Sequence, residues 1–204
     1  MRKFFWILSL CTLLFAWEDD GSELYETFGN KKAYNILHDL ALKEDAWAMY
    51  ALGVSYMKAR GVRQDYKKAL FWLQKASLKN FSKAQYLLAD LYFEGKGTLK
   101  DLSKACYWYE RAAREGEVAA MYKLALLYLE GKGCKKDPKK AYEWFLKAAN
   151  EGLIKAQTKV GLMYAAGLGV EKDMKKAKEW IRRAYEGGDD EAKRAWEIFK
   201  LWNY

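Results

Sequence analysis

Apolar and polar residues recur along this chain with the spacing of amphipathic helices, and the whole pattern returns every 36 residues. In each copy a Tyr lies eight residues after an opening Ala, and a Trp lies seven residues after an Asp. The opening alanines are Ala48, Ala84, Ala120 and Ala156. Apolar positions spaced three and four apart predict a helix that buries one face. Each copy therefore predicts a pair of packed helices.

Glycine and aspartate predict where these helices end and begin. Gly accepts the left-handed conformation that stops a helix, and an Asp side chain accepts hydrogen bonds from the free amides at a helix start. The four predicted helix pairs are 46–79, 82–115, 118–151 and 154–187. Residues 31–45 predict a partial cap, and residues 190–202 predict a C-terminal cap helix. The first copy has Ala59 in place of the Gly, so we expect a less favourable turn there.

The second helix of each copy carries one apolar stripe, which in the first copy is Ala69, Trp72, Leu73 and Ala76. We expect the Trp to lie in the core. Lys or Arg recurs on the opposite side, typical of a solvated face whose long side chains cover the Trp edges, with an anionic surface or acidic partner as the alternative. No segment shows the alternation of a β-strand. The sequence predicts an all-α fold in which each pair covers its neighbour's apolar face.

The first residues have the order of parts of a secretory signal. Two basic residues precede a mostly apolar run from Phe4 to Ala16, and an acidic cluster follows. We predict a signal peptide at 1–16 and a linker or frayed cap at 17–30, which places the protein in the periplasm or outside the cell. The apolar run is shorter than the roughly 20 residues that span a bilayer, yet an uncleaved anchor stays open.

Charge and cysteines add two expectations. The net charge is +9, and the loss of Arg2 and Lys3 with the signal would leave a basic protein. Cys106 and Cys134 would remain in an oxidising compartment, where disulfides persist. Adjacent helices pack about 10 Å apart, so a disulfide between these two is feasible. Two unpaired cysteines are the alternative.

The repeated letters resemble a known family. The pattern A-x-x-x-L-[GA]-x-x-Y-x-x-[GA]-x-G-x-x-x-D-x-x-K-A-x-x-W-x-x-[KR]-A is similar to the Sel1-like repeat, a relative of the tetratricopeptide repeat. It covers residues 46–187 fully, within a predicted repeat region of 31–204. The resemblance implies a right-handed α/α solenoid that acts as an adaptor, binding a protein or peptide on its concave side. Bacterial members are often exported.

In such solenoids the first helices line the concave side, and helix geometry identifies the positions that face outward. These positions are apolar and aromatic, as binding surfaces often are. The predicted binding residues are Tyr50, Tyr86, Asp90, Phe93, Tyr122, Lys123 and Lys159. The alternative is that these side chains pack against one another between successive helices.

Catalytic chemistry is sparse in this sequence. His38 is the one histidine, no cluster has metal-ligand spacing, and no loop has a phosphate-binding pattern. We therefore predict no cofactor, no metal and no catalytic residue. Some cysteine-rich relatives are described as β-lactamases or penicillin binders, and Ser55 and Lys58 form a Ser-x-x-Lys without its companion motifs. A hydrolase is thus the alternative function. We expect no nucleic-acid partner, and membrane contact only if the N-terminal segment is uncleaved.

Overall fold

A computed structural model describes residues 20–201 of the chain, and these residues contain eleven helices and no strand. The predicted signal peptide at 1–16 lies outside this range. Within the range, none of the helices has the length and apolar character needed to cross a membrane.

The chain divides into two compact units between Lys100 and Asp101, inside the second repeat. Unit 1 contains α1 (Ser22–Phe28), α2 (Asn30–Leu42), α3 (Ala46–Lys58), α4 (Tyr66–Leu78) and α5 (Ser82–Glu94). Unit 2 contains α6 (Leu102–Arg114), α7 (Val118–Glu130), α8 (Pro138–Asn150), α9 (Ile154–Ala166), α10 (Met174–Glu186) and α11 (Asp190–Ile198). In each unit, helices that follow one another along the chain pack together.

The predicted helix caps are confirmed. Asp65 accepts hydrogen bonds from the amides of Lys67 and Lys68, both at 3.0 Å. Asp101, Asp137 and Asp173 accept the corresponding bond from the amide three residues ahead. The first helix of the first repeat ends at Ala59 with a φ of 57°, where the next repeat has Gly95 at 74°. Because a side chain is unfavourable in this conformation, Ala59 costs about 1 kcal/mol relative to Gly.

The second glycine of each loop marks a close approach between repeats. A Cβ on Gly133 would overlap the carbonyl oxygen of Leu102, and a Cβ on Gly169 would overlap that of Pro138. Each loop therefore lies against the first turn of the second helix in the preceding repeat. Gly61 approaches Asn30 in the same way, so α2 is the second helix of an incomplete repeat that precedes the first full one.

The N-terminal segment differs from the predicted linker at 17–30. Its residues 22–28 form α1, in which Leu24 and Tyr25 are buried. The hydroxyl of Tyr25 donates a hydrogen bond to Ser55 Oγ at 2.9 Å. Two apolar side chains in an acidic stretch thus contribute to holding this segment against the first full repeat. At the other end, α11 stops at Ile198, short of the predicted 202.

The core of the second helices lies one position beyond the tryptophans. Leu73, Tyr109, Phe145 and Ile181 are all 0% exposed. Trp72 is buried, but Trp108, Trp144 and Trp180 are only half-buried. The prediction of a Trp row in the core is therefore wrong for three of the four repeats. Cations cover the half-buried rings, as predicted. The closest contact is at Trp144, where Lys147 Nζ lies 4.1 Å from the ring centroid.

Cys106 and Cys134 form a disulfide in unit 2, with their Cα atoms 6.0 Å apart. Cys106 is buried on α6, and Cys134 lies in the loop before α8. The bond ties the second helix of one repeat to the loop of the next. It thus reinforces the loop packing that Gly133 provides.

Candidate binding surface

We use the term inner face for the positions of the first helices that the sequence predicted to face outward. In unit 1 these are Tyr50, Ala51, Val54 and Met57 on α3, and Tyr86, Leu87, Asp90 and Phe93 on α5. In unit 2 they are Tyr122, Lys123, Leu126 and Leu129 on α7, and Thr158, Lys159, Leu162 and Ala165 on α9.

The inner face of α3 is closed. Tyr50 is 7% exposed and its ring centroid lies 5.0 Å from that of Phe81. Ala51 and Val54 are fully buried, and the Gly21 backbone lies against Ala51, since a Cβ on Gly21 would come within 3.0 Å of the Ala51 Cβ. The side chain of Tyr50 is therefore part of the core of unit 1. This agrees with the alternative that the inner rows pack within the fold, and we do not retain Tyr50 as a binding residue.

An ion cluster holds the N-terminal segment on α3. The carboxylate of Asp20 accepts hydrogen bonds from Lys58 Nζ at 2.6 Å and from Arg60 Nη1 at 2.5 Å. Partial burial raises the pKa of Asp20, but the two hydrogen bonds and the two positive charges outweigh it and lower the pKa to about 2. The carboxylate is therefore ionised at neutral pH. The Asp20 cluster and the Tyr25 hydrogen bond together hold the N-terminal segment against the first full repeat.

The inner face of α5 is half-exposed. Tyr86, Asp90 and Phe93 are all half-buried, as is Leu87 beside them. Lys100 Nζ lies 5.4 Å from the centroid of the Phe93 ring, a distance suited to a cation–π contact. Three of the predicted residues thus lie on one helix of unit 1.

The inner face of α7 in unit 2 is half-exposed as well. Tyr122, Lys123, Leu126 and Leu129 are half-buried. The Tyr122 ring lies 5.4 Å from that of Phe145, with the two planes at 63°. Burial raises the pKa of the Tyr122 hydroxyl, an effect that the charge of Lys159 opposes. The phenol therefore stays neutral and can donate a hydrogen bond.

The inner face of α9 is partly covered by the C-terminal cap, since Thr158 and Ala165 are buried while Lys159 and Leu162 are half-buried. Thr158 is 0% exposed and donates a hydrogen bond to Asp189 Oδ1 at 3.0 Å. Lys159 Nζ binds the carboxylate of Glu191 at 2.7 and 2.9 Å. The amine of Lys159 is thus bound within unit 2. Tyr86, Asp90, Phe93, Tyr122 and Lys123 remain on half-exposed surface.

Sequence reasoning missed the residues that cover inner-face positions on α3 in unit 1 and on α9 in unit 2. They are Asp20 and Tyr25 in unit 1, and Asp189 and Glu191 in unit 2. The acidic run at 189–191 could have been matched with Lys159, since it begins α11, which takes the place of the first helix of a next repeat. The N-terminal acidic cluster gave no such signal, because it precedes the first copy of the pattern and has no counterpart in it.

Ser55 and Lys58 do not form a nucleophile and base. The hydroxyl of Ser55 is buried, donates to the Ala51 carbonyl at 2.7 Å and accepts from Tyr25. Lys58 is bound to Asp20. Between residues 20 and 201, no group of three His, Cys, Asp or Glu side chains is placed to hold a metal ion. The inner face is therefore suited to noncovalent contact through rings, aliphatic side chains and a few charges.

Comparisons with known proteins agree with this architecture. The Sel1 repeat model matches residues 48–81, 82–117, 118–153 and 154–189. No curated protein sequence matches the chain.

Solved structures similar to this chain have the same repeat. The c5321 protein, a protective antigen of uropathogenic Escherichia coli strains that displays an SLR fold, is 32% identical with a TM-score of 0.80. The match covers 84% of this chain but only 38% of c5321. A Sel1 repeat protein from Oxalobacter formigenes is 34% identical with a TM-score of 0.80, over 84% of this chain and 71% of that one. Cysteine rich protein B of Helicobacter pylori is 26% identical with a TM-score of 0.50, over 62% and 91%.

The predicted all-α solenoid fold class is thereby confirmed. Four matched repeats account for residues 48–189, most of the described chain. This chain belongs to the Sel1 repeat family.

Proposed function

We propose that this protein is an exported scaffold that binds protein segments through inner faces that stay half-exposed, that of α5 in unit 1 and that of α7 in unit 2. Sel1 repeat proteins generally mediate protein–protein interactions. One observation carries the proposal. The chain covers nearly all of the inner face on α3 and part of it on α9, and leaves all four positions half-buried on α5 and α7.

The chemistry of these two helices supports a protein segment as the ligand. Tyr86 and Phe93 on α5, and Tyr122 and Leu126 on α7, present apolar area that a partner can bury. Tyrosine adds a hydroxyl that can bond a peptide group, which is why it is common at interfaces. Asp90 adds a carboxylate on the α5 face.

Two features support export. The first 16 residues have the order of a secretory signal. The Cys106–Cys134 disulfide favours an oxidising compartment such as the periplasm, because thiols stay reduced in the cytosol. Fractionation of the cells, with mass measurement of the purified protein, tests both the compartment and the removal of residues 1–16.

Partner capture by crosslinking tests the binding face. The test variant is Tyr86→Ala/Tyr122→Ala, which removes one inner ring from each unit. The matched control is Phe71→Ala/Tyr107→Ala, which removes one exposed ring from each unit, at 49% and 51% exposure, outside the inner face. We expect the wild type and the control to capture the same partner and the test variant to lose it, with equal helical content by circular dichroism.

Two results would change the assignment. A partner retained by the test variant and lost by the control would move the binding site to the outer face. Hydrolysis of nitrocefin by the wild type, abolished in Ser55→Ala, would replace the scaffold by a hydrolase.

A further inference from the structure

A surface cavity of about 500 Å³ lies at the loop of the first full repeat in unit 1. Its lining comes from the end of α3, the loop and the start of α4, and consists of Tyr56, Val62, Arg63, Gln64, Asp65 and Lys68. A volume of this size is in the range of small-molecule sites. None of the lining residues belongs to the inner face, so the proposed scaffold gives the cavity no role.

The loop beside the cavity is fixed at both ends. On one side Gly61, at a φ of 68°, lies against the start of α2, since a Cβ there would come within 2.9 Å of the Asn30 carbonyl oxygen. On the other side the Gln64 amide donates a hydrogen bond to the Met57 carbonyl oxygen at 2.8 Å. Arg63 lies between these two contacts. The backbone of the site therefore needs little ordering when a ligand binds.

Two cations line the cavity without a carboxylate partner. Arg63 is exposed and forms no ion pair within the described part of the chain. Lys68 forms none there either, and its Nζ lies 5.4 Å from the Tyr56 ring centroid. In the second and fourth repeats the lysine at this position is bound to the capping aspartate, at 3.3 Å from Asp101 and 3.6 Å from Asp173. The first full repeat therefore leaves both cations available to a ligand.

A pair of tyrosine hydroxyls lies beside these cations. The hydroxyl oxygens of Tyr56 and Tyr34 are 3.0 Å apart, and either could be the donor. Two hydroxyls carry two hydrogens and their bond uses one, so one O–H can donate to a ligand. Burial and the bond to Tyr56 raise the pKa of Tyr34 to about 12, although the charge of Lys68 opposes this rise. The pair is therefore neutral at pH 7 and keeps its second hydrogen.

Unit 2 contains a similar tyrosine pair with different charges around it. The hydroxyls of Tyr142 and Tyr164 are 2.6 Å apart, and Lys176 Nζ lies 5.4 Å from the Tyr164 ring centroid. Glu171 stands at the position of the arginine, however, and Lys176 is bound to Asp173. The tyrosine pair thus recurs in the fold, and the two unpaired cations distinguish the cavity in unit 1.

We propose that this cavity binds an organic carboxylate, held by the guanidinium of Arg63, the ammonium of Lys68 and the remaining hydrogen of the tyrosine pair. A guanidinium matches the two oxygens of a carboxylate. Asp65 also lines the cavity, so the lining has a net charge of +1, which suits a single negative charge better than the nearly two of a phosphate group. The Tyr56 ring and Val62 provide apolar contact for the rest of the ligand. A free organic acid and the C terminus of a peptide share this chemistry.

Isothermal titration calorimetry of the full chain tests the proposal with two carboxylates. One is 3-phenylpropionate and the other is an acetylated tetrapeptide that ends in phenylalanine, and the amide of each is its control. Arg63→Gln and Lys68→Met each remove one cation. Their matched controls are Lys135→Gln and Lys140→Met, which remove exposed lysines at the same positions of the third repeat. That repeat has no tyrosine pair, because Cys106 stands in the place of the second tyrosine.

We expect a carboxylate to bind at least about tenfold more tightly than its amide. Arg63→Gln should lower the affinity at least about tenfold, and Lys68→Met about fivefold, while both controls stay within about twofold. Tighter binding of the tetrapeptide would identify the ligand as a chain end, and tighter binding of 3-phenylpropionate would identify it as a free acid. Because no inner-face residue takes part, failure of partner capture would leave this result unchanged.

Three results would overturn the proposal. They are equal losses in the test and control variants, no binding of either carboxylate, and binding of inorganic phosphate as tight as that of the carboxylates. The last would indicate a general anion site. Circular dichroism of each variant checks that a loss of binding does not come from a loss of helix.

Discussion

The inner faces of α3 in unit 1 and α7 in unit 2 occupy the same positions of the repeat and have different exposures. Tyr50 is 7% exposed on α3, whereas its counterpart Tyr122 is half-buried on α7. Val54 is 1% exposed, whereas its counterpart Leu126 is half-buried. Two neighbours lie on α3: Phe81 packs on the Tyr50 ring, and the segment containing Asp20, Gly21 and Tyr25 contacts Ala51, Ser55 and Lys58. A repeat position is therefore core or surface according to the residues that cover it, and its own letter does not decide it.

The largest expected contrast is between two tyrosine truncations. Tyr50→Ala removes a buried ring from α3 and should lower the free energy of unfolding by about 4 kcal/mol. Tyr122→Ala removes a half-buried ring and should cost about 2 kcal/mol. Urea unfolding followed by circular dichroism, with unchanged slopes, measures both. Equal losses would mean that the α7 face is as closed as that of α3, and would contradict the proposed binding surface.

The second-largest effect concerns the disulfide, which should stabilise unit 2 and leave unit 1 unaffected. Removing it by Cys106→Ala/Cys134→Ala should destabilise unit 2 by about 3 to 4 kcal/mol, because the bond closes a loop between residues 28 apart and restricts the unfolded chain.

Hydrogen exchange by mass spectrometry measures this effect in each unit. Amides of α6 and α7 should exchange faster in the double variant, and those of α3 and α4 should keep their protection. Faster exchange throughout would show that the units unfold as one and that the contrast between them is smaller than their burial suggests.

Tyr25→Phe tests what closes α3. It deletes the hydrogen bond to Ser55 Oγ in a buried site and should cost about 1 to 2 kcal/mol. In unit 2, Tyr142→Phe deletes a partly buried hydroxyl bonded to that of Tyr164 at 2.6 Å, so it should cost less. Limited proteolysis should cut near residues 20–28 sooner in Tyr25→Phe alone. Unchanged cleavage near residues 20–28 would mean that the hydrogen bond does not hold the segment on α3.

The smallest effect is the pH dependence of the Asp20 cluster. Because the pKa of Asp20 in the folded protein, about 2, is below its unfolded value, its contribution is complete above about pH 4 and is lost as the pH falls towards 2. With partial solvent screening we expect about 1 kcal/mol. Asp20→Asn should thus be less stable than the wild type at pH 5, and the two should converge at pH 2.

Urea midpoints at pH 5, 3 and 2 measure this difference. Glu26→Gln, which changes an exposed carboxylate on the adjoining helix α1, is the control and should follow the wild type throughout. A difference in stability between Asp20→Asn and the wild type that does not change with pH would mean that the ion cluster does not help to hold the N-terminal segment on α3.

Helix limits could be predicted from the sequence because their causes are local. Asp65 caps the helix that begins beside it, and Ala59 takes the conformation that its position in the loop demands. The core row was harder to place. Trp72 and Leu73 are neighbours about 100° apart on the helix, and the spacing of three and four fits either one. Their burial depends on the rotation of the helix against its neighbours.

The candidate site could be predicted only in part, for a related reason. Tyr50, Tyr86 and Tyr122 are equivalent in the repeat, and nothing in their own letters separates a covered ring from a half-exposed one. The difference comes from Phe81, which packs on Tyr50, and from the N-terminal segment, which covers the neighbouring Ala51. Lys159 likewise depends on Glu191 in the cap helix. Repetition predicts the shared structure, and residues outside the shared pattern break the equivalence.

The glycine contacts between loops and preceding repeats also bear on how the chain acquires its structure. Gly133 reaches back to Leu102 and Gly169 to Pro138, each across 31 residues. The disulfide spans 28 residues and the Tyr25–Ser55 hydrogen bond spans 30. Contacts of such short reach favour rapid folding that can start at any repeat and spread to the next. A repeat can therefore begin to pack as soon as its immediate successor is free to fold.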